Sequence, residues 1–222
     1  GVKNFDITTK TIPLKTDFNQ VTAAFIKSLE KLKIEKVHGL LIHDLNDMKK
    51  NQFHYLYNAL KLLKKEGLTK KIGFSAYSPD QVDFLLENFD FDIIQIPFNV
   101  FDIRLQNGNQ LKKLKKNKVE VHARRIFLQG LLLNFDNLSN YFTSWRHEFD
   151  NYQKIVKESG LTKLEYALNF ALNSNYIDKL VIGVNSAEQL LEIIKAEKKN
   201  EILQPFSIDD SNLLNPANWK IS

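Results

Sequence analysis

From end to end the chain alternates short, almost uninterrupted apolar runs with longer segments whose apolar residues recur every three or four positions. Few folds accept that pattern. A strand that is apolar throughout needs cover on both faces, and it finds that cover in a parallel sheet flanked by helices. Six strands are expected: Lys3–Thr9, Val37–His43, Lys71–Ser75, Ile93–Pro97, Val119–Ala123 and Lys179–Val184. VHGLLIH, FDIIQIP and KLVIGV are their clearest centres.

The segments between them carry helical signals. Val21, Ala24, Phe25, Ser28, Leu29 and Leu32 form one stripe, with Asp17 and Gln20 as a cap at its start. Phe53, Leu56, Tyr57, Leu60 and Leu63 form a second, stopped by Gly67. Ser78-Pro79-Asp80-Gln81 joins a capping serine to a proline at the first helical position. Capping boxes recur at Thr162 and Ser186, and Leu190, Ile193 and Ile194 are the expected inward face of the last helix.

Six β/α units in series, with no linker or low-complexity stretch, make a single domain over residues 1–222. A dinucleotide-binding doubly wound sheet would show G-x-G-x-x-G after its first strand, and none occurs. The expectation is therefore a (β/α)8 TIM barrel, apparently incomplete. A closed barrel needs eight units, which leaves a deficit of roughly 60 residues. Because the chain opens in what reads as mid-strand, that deficit is expected before Gly1.

Composition removes several classes of function. No cysteine is present, which rules out a disulfide framework, a thiol nucleophile or a thiolate metal site within the chain. No run of about 18 apolar residues exists to span a membrane. The opening residues lack a signal peptide's apolar region, and a cytoplasmic location is expected. Net charge is +5, but the lysines of LKKLKKNK and KLLKKEG lie opposite leucines on solvated helix faces, and no nucleic-acid motif accompanies them.

In barrel enzymes the reacting groups gather at the C-terminal ends of the strands. The polar residues there are Lys10, His43, Asp44, Ser75, Gln95, Asn99, Arg124 and the turn from Gly183 to Ser186. A partly desolvated lysine can lower the pKa of a neighbouring hydroxyl, and a histidine beside it can donate to a carbonyl oxygen. Equally, Lys10 could cap a strand and His43 could be structural. The strand–turn–helix VIGVNSAEQLLEI offers free N–H groups and a helix dipole to a phosphate. His43, Asp44 and Asp47 are close in sequence but follow no metal-ligand spacing.

ITTKT, LLIHD, ALKLLKKEGLTKKIGFSAYSPDQ, FDIIQIPFNVFD, VHARRIFLQGLLL and VIGVNSAEQLLEI, in that order, resemble strands three to eight of the aldo-keto reductase family, closest to its bacterial branch. The resemblance implies a carbonyl reductase using NADP or NAD at the barrel mouth, with a small-molecule aldehyde or ketone as substrate. The family's catalytic tetrad is Asp, Tyr, Lys and His. Lys10 matches the lysine and His43 the histidine. Ser75 and Gln95 match the groups that hold the nicotinamide carboxamide, although Ala76 stands where many members have Asn. Arg124 matches the residue packed on the nicotinamide ring, and Arg125 is a candidate for the pyrophosphate. Gly183, Asn185, Ser186, Gln189 and Glu192 match the adenosine-phosphate turn and helix.

Two departures follow from the same resemblance. Asn185, Ser186 and Gln189 offer no positive charge to a 2′-phosphate, which weakens the expectation of NADP over NAD. The tetrad aspartate and tyrosine have no match in the chain, and the family places both in its second β/α unit. Tyr55, Tyr57 and Tyr77 are not substitutes. The alternative is thus a non-catalytic barrel relative acting as a binding or regulatory protein. Tyr141, Phe142, Trp145, Phe149 and Trp219 are candidates either for an apolar substrate pocket or for packing against the barrel.

Overall fold

The computed structural model describes residues 5–13, 18–46, 48–49, 51–136, 138–196 and 203–221. Asp17 and Asp47, and the first residues of the expected opening strand, lie outside them. In chain order the elements are β1 (Thr8–Lys10), α1 (Phe18–Leu32), β2 (Val37–Ile42), α2 (Asn51–Lys65), β3 (Thr69–Ser75), α3 (Pro79–Asn88) and β4 (Ile93–Pro97). Then come α4 (Arg104–Asn107), α5 (Gln110–Lys116), β5 (Glu120–Arg124), α6 (Arg146–Glu158), α7 (Lys163–Leu172), β6 (Lys179–Leu180), α8 (Ala187–Lys195) and α9 (Ser211–Leu214).

Strand order is β1-β2-β3-β4-β5-β6. Pairing is parallel between β1 and β2, β2 and β3, β3 and β4, and β5 and β6. The first residue of β5 lies beside β4, where the Glu120 N–H donates to Asp92 O at 2.8 Å. A doubly wound sheet reverses its order at a switch point, whereas a barrel wall runs consecutively. The order found here is the barrel's, and the described residues supply six of its β/α units. β1 is displaced toward Lys10 relative to expectation, and β6 ends at Leu180, not Val184.

Two compact units make up the chain, with β5 contributing to both. The first holds residues 1–96 and 114–121. Its core lies between α2 and the sheet, where Phe74 has Phe53, Phe89 and Phe91 around it at centroid distances of 5.9, 5.4 and 5.1 Å. Gly73 is forced by contact: a Cβ there would sit 1.7 Å from the Ile93 carbonyl oxygen. At the start of β2, His38 Nε2 meets Glu120 Oε1 at 3.0 Å, and Lys71 pairs with the same carboxylate. His38 is a half-buried strand residue, within the expected strand Val37–His43.

The second unit holds residues 97–113 and 122–222. Phe101, Phe149, Tyr152 and Phe206 form its aromatic centre, with Phe101 5.5 Å from Tyr152 and 5.7 Å from Phe149. The capping box expected at Thr162 is present: the hydroxyl accepts from Glu165 N at 3.1 Å, and Glu165 returns to Thr162 N at 2.8 Å. One expectation is corrected. Leu190 is 45% and Ile194 68% exposed while Ile193 is half-buried, so two of the three residues of that stripe do not face inward. Periodicity reveals an apolar stripe but not what lies against it.

Candidate functional site

Lys10, His43, Ser75 and Gln95 stand at the same end of four consecutive strands in the first unit. Lys10 is the last residue of β1 and lies opposite Leu41 on β2. The next residue, Thr11, is buried and ties the two strand ends together. Its N–H donates to Leu41 O at 2.8 Å, and its Oγ1 accepts from the His43 N–H at 3.3 Å. Lys10 is half-buried and the His43 side chain faces solvent. Thr11 was not singled out by its sequence, because an ordinary strand-end threonine looks the same.

Ser75 closes β3 and is the register partner of Gln95 on β4. The Ala76 N–H donates to Gln95 O at 2.9 Å and continues the pairing beyond Ser75. Ser75 is fully buried and Gln95 6% exposed. The Ser75 hydroxyl has no hydrogen-bond partner among the described residues. A buried hydroxyl without a partner costs about 1–3 kcal/mol.

In the second unit Arg124 ends β5 and is 8% exposed. Arg125 adopts φ +61° and turns its Nη1 to Leu214 O at 3.4 Å and Asn215 Oδ1 at 3.3 Å. Its guanidinium is thus engaged with the segment around α9, a contact that local sequence does not announce.

Gly183, Asn185, Ser186, Gln189 and Glu192 are all exposed, on the turn before α8 and along that helix. Ser186 caps the helix, accepting from Gln189 N at 3.2 Å, while Gln189 Oε1 accepts from Asn185 N at 2.8 Å. Glu188, in the first turn, was not among the expected residues. Hydrogen bonds from its own backbone N–H and from Ser186 hold its carboxyl below the ordinary value. The helix start therefore carries a permanent negative charge at neutral pH.

Tyr57, Tyr152 and Tyr166 lack the lowered pKa that a general acid poised near neutrality would show. Burial raises the pKa of Tyr57, Tyr152 and Tyr166. The aromatic cluster near the C-terminus is packing. Phe142 meets Trp219 edge-on at 4.9 Å, Trp145 Nε1 donates to Asp210 at 3.1 Å, and Tyr141 Oη donates to Asn212 O at 3.0 Å.

Parallel strands in consecutive order are the arrangement of a (β/α)8 barrel wall, here with six of its strands. The aldo/keto reductase family profile matches residues 2–206, and the chain belongs to that family. Its members in general reduce carbonyl groups with NAD(P)H.

Solved structures agree in fold. The holo form of aldo-keto reductase AKR11C1 from Bacillus halodurans aligns with a TM-score of 0.75 at 18% identity, covering 89% of this chain and 67% of that one. Its apo form gives 0.71 at 18% identity, covering 88% and 66%. Glycerol dehydrogenase AKR11B4 from Gluconobacter oxydans gives 0.63 at 19% identity, covering 86% and 71%. The chain thus spans about two thirds of the length of these neighbours. No curated protein matches it. No described helix is long and apolar enough to cross a membrane.

Proposed function

We propose that the chain binds NAD(P)H and takes part in reducing an aldehyde or ketone to an alcohol. The observation that carries this reading is the buried Ser75 hydroxyl beside Gln95, a hydroxyl that has no partner among the described residues. These two side chains hold the carboxamide of the nicotinamide and so fix which face of the ring is presented. Arg124 packs its planar guanidinium on the ring, as an aromatic residue would. Gly183, Asn185, Ser186, Gln189 and Glu192 take the adenosine end, and Arg125 is the candidate for the pyrophosphate.

NAD(P)H held by these residues would supply the hydride for the carbonyl carbon. His43 donates a hydrogen bond to the carbonyl oxygen and orients it. Lys10 lowers the pKa of the group that protonates that oxygen, by placing a positive charge beside it. The family's tyrosine in that role has no counterpart in residues 1–222. Ionised Glu188 repels a 2′-phosphate, which supports NADH as the preferred nucleotide.

Titration with NADH and NADPH, followed by fluorescence quenching, tests the binding. Saturable binding is expected, and no response to either nucleotide would overturn the reading. Turnover of a generic aldehyde, lost in His43→Ala, supports the reductase. Binding without turnover assigns the chain to the non-catalytic alternative.

A further inference from the structure

The backbone leaving β5 is held where side-chain-bearing residues seldom go. Arg125 has φ +61°, Leu128 +45° and Gln129 +56°. Each such residue costs on the order of 1 kcal/mol or more unless its surroundings hold it there. The residues that grip this stretch follow β4. Phe98 N donates to Arg124 O at 3.1 Å. Asn99 Nδ2 donates to Arg125 O at 2.9 Å.

Asn99 itself is wholly buried and occupied on both sides of its amide. Its Oδ1 accepts from Phe101 N at 2.9 Å and from Asp102 N at 3.0 Å. Asp102 is fixed in turn by a two-pronged pair with Arg104, both contacts at 2.8 Å. One side chain thus accepts from the loop after β4 and donates to the backbone after β5. Asparagine can do both at this reach; aspartate lacks the donor and serine lacks the length.

We propose that Asn99 is a positioning residue for Arg124: by holding Arg125 O it sets the direction in which the Arg124 guanidinium leaves β5. This rests on the reading that Arg124 packs on the nicotinamide. A purely structural Asn99 would only offset the strain at Arg125. Glycine adopts φ +61° without that strain, so Arg125→Gly removes the need for such an offset.

The test measures NADH affinity and thermal unfolding in Arg124→Leu, Asn99→Ser, Arg125→Gly and the double variant Asn99→Ser/Arg125→Gly. The Asn99→Ser substitution keeps an oxygen for the Phe101 and Asp102 N–H groups, but its hydroxyl cannot reach Arg125 O. Expected are weaker NADH binding in Arg124→Leu, about five- to tenfold weaker binding in Asn99→Ser, and the same deficit in the double variant relative to Arg125→Gly alone. The double variant also serves if Asn99→Ser does not fold. Affinity recovered in the double variant, or unchanged in Asn99→Ser while Arg124→Leu binds weakly, overturns the positioning role. Unchanged affinity in Arg124→Leu removes the reading of Arg124 and the proposal with it.

Discussion

Ser75 and Gln95 face one another across β3 and β4 as register partners, both buried, and the serine hydroxyl makes no hydrogen bond among the described residues. Stability and binding are therefore opposed at this position. Ser75→Ala is expected to leave the thermal midpoint unchanged or to raise stability by about 1 kcal/mol, since it removes an unsatisfied polar group. NADH affinity should fall about tenfold, the loss of one hydrogen bond to the ligand. Calorimetry and fluorescence titration check the two halves. A destabilised Ser75→Ala variant would mean that the hydroxyl has a structural partner after all.

Thr11 couples the two strand ends that carry Lys10 and His43. Thr11→Val keeps the shape but removes the acceptor for the His43 N–H, at a cost of about 1 kcal/mol. Thr11→Ser keeps the acceptor. Aldehyde turnover should therefore drop in the valine variant and survive in the serine variant, and a steady-state comparison of the two decides it.

On the proposed reading, Glu188 at the start of α8 disfavours a 2′-phosphate. Glu188→Gln is expected to raise NADPH affinity relative to NADH by about threefold, because removing a negative charge from a helix N-terminus favours an incoming phosphate. Parallel titrations measure the ratio. A ratio unmoved by the substitution would place the 2′-phosphate elsewhere.

Gly73→Ala forces a methyl group against the Ile93 carbonyl oxygen, in backbone that cannot step aside. The expected loss is at least about 3 kcal/mol, at the upper end for overpacked cores. Leu190→Ser and Ile194→Ser, on the exposed stripe of α8, should each shift stability by less than about 0.5 kcal/mol. Denaturant melts of the three variants separate a packed position from two uncovered ones.

Tyr57, Tyr152 and Tyr166 ionise less readily in the folded protein than when unfolded, mainly through burial. A raised folded pKa gives stability that is fully present below the unfolded value near 10 and is lost as pH rises above it. Absorbance titration at alkaline pH should show these three ionising late, together with unfolding.

Much of the wall of the barrel was legible because its information is local. The runs at Val37–Ile42 and Ile93–Pro97 are apolar at nearly every position, and only cover on both faces accommodates that. Ser78, Thr162 and Ser186 announce helix starts through bonds to residues three positions on. The strand-end residues of the candidate site follow from the same wall, since parallel strands put all their C-terminal ends together. Non-local relations were not legible. Nothing around Arg125 predicts that its guanidinium meets Asn215, 90 residues away, nor that Asn99 holds its carbonyl.

By itself, then, the sequence determined the kind of elements, their alternation and the strand ends at which Lys10, His43, Ser75 and Gln95 stand, because periodicity and capping act over a few residues. Tertiary structure alone decided which polar atoms are left without a partner, which stripe is covered and which backbone is held in a left-handed turn. Those outcomes depend on segments that meet only when the chain has folded: Ser75 is an ordinary serine until Gln95 and the assembled sheet take the water away from its hydroxyl.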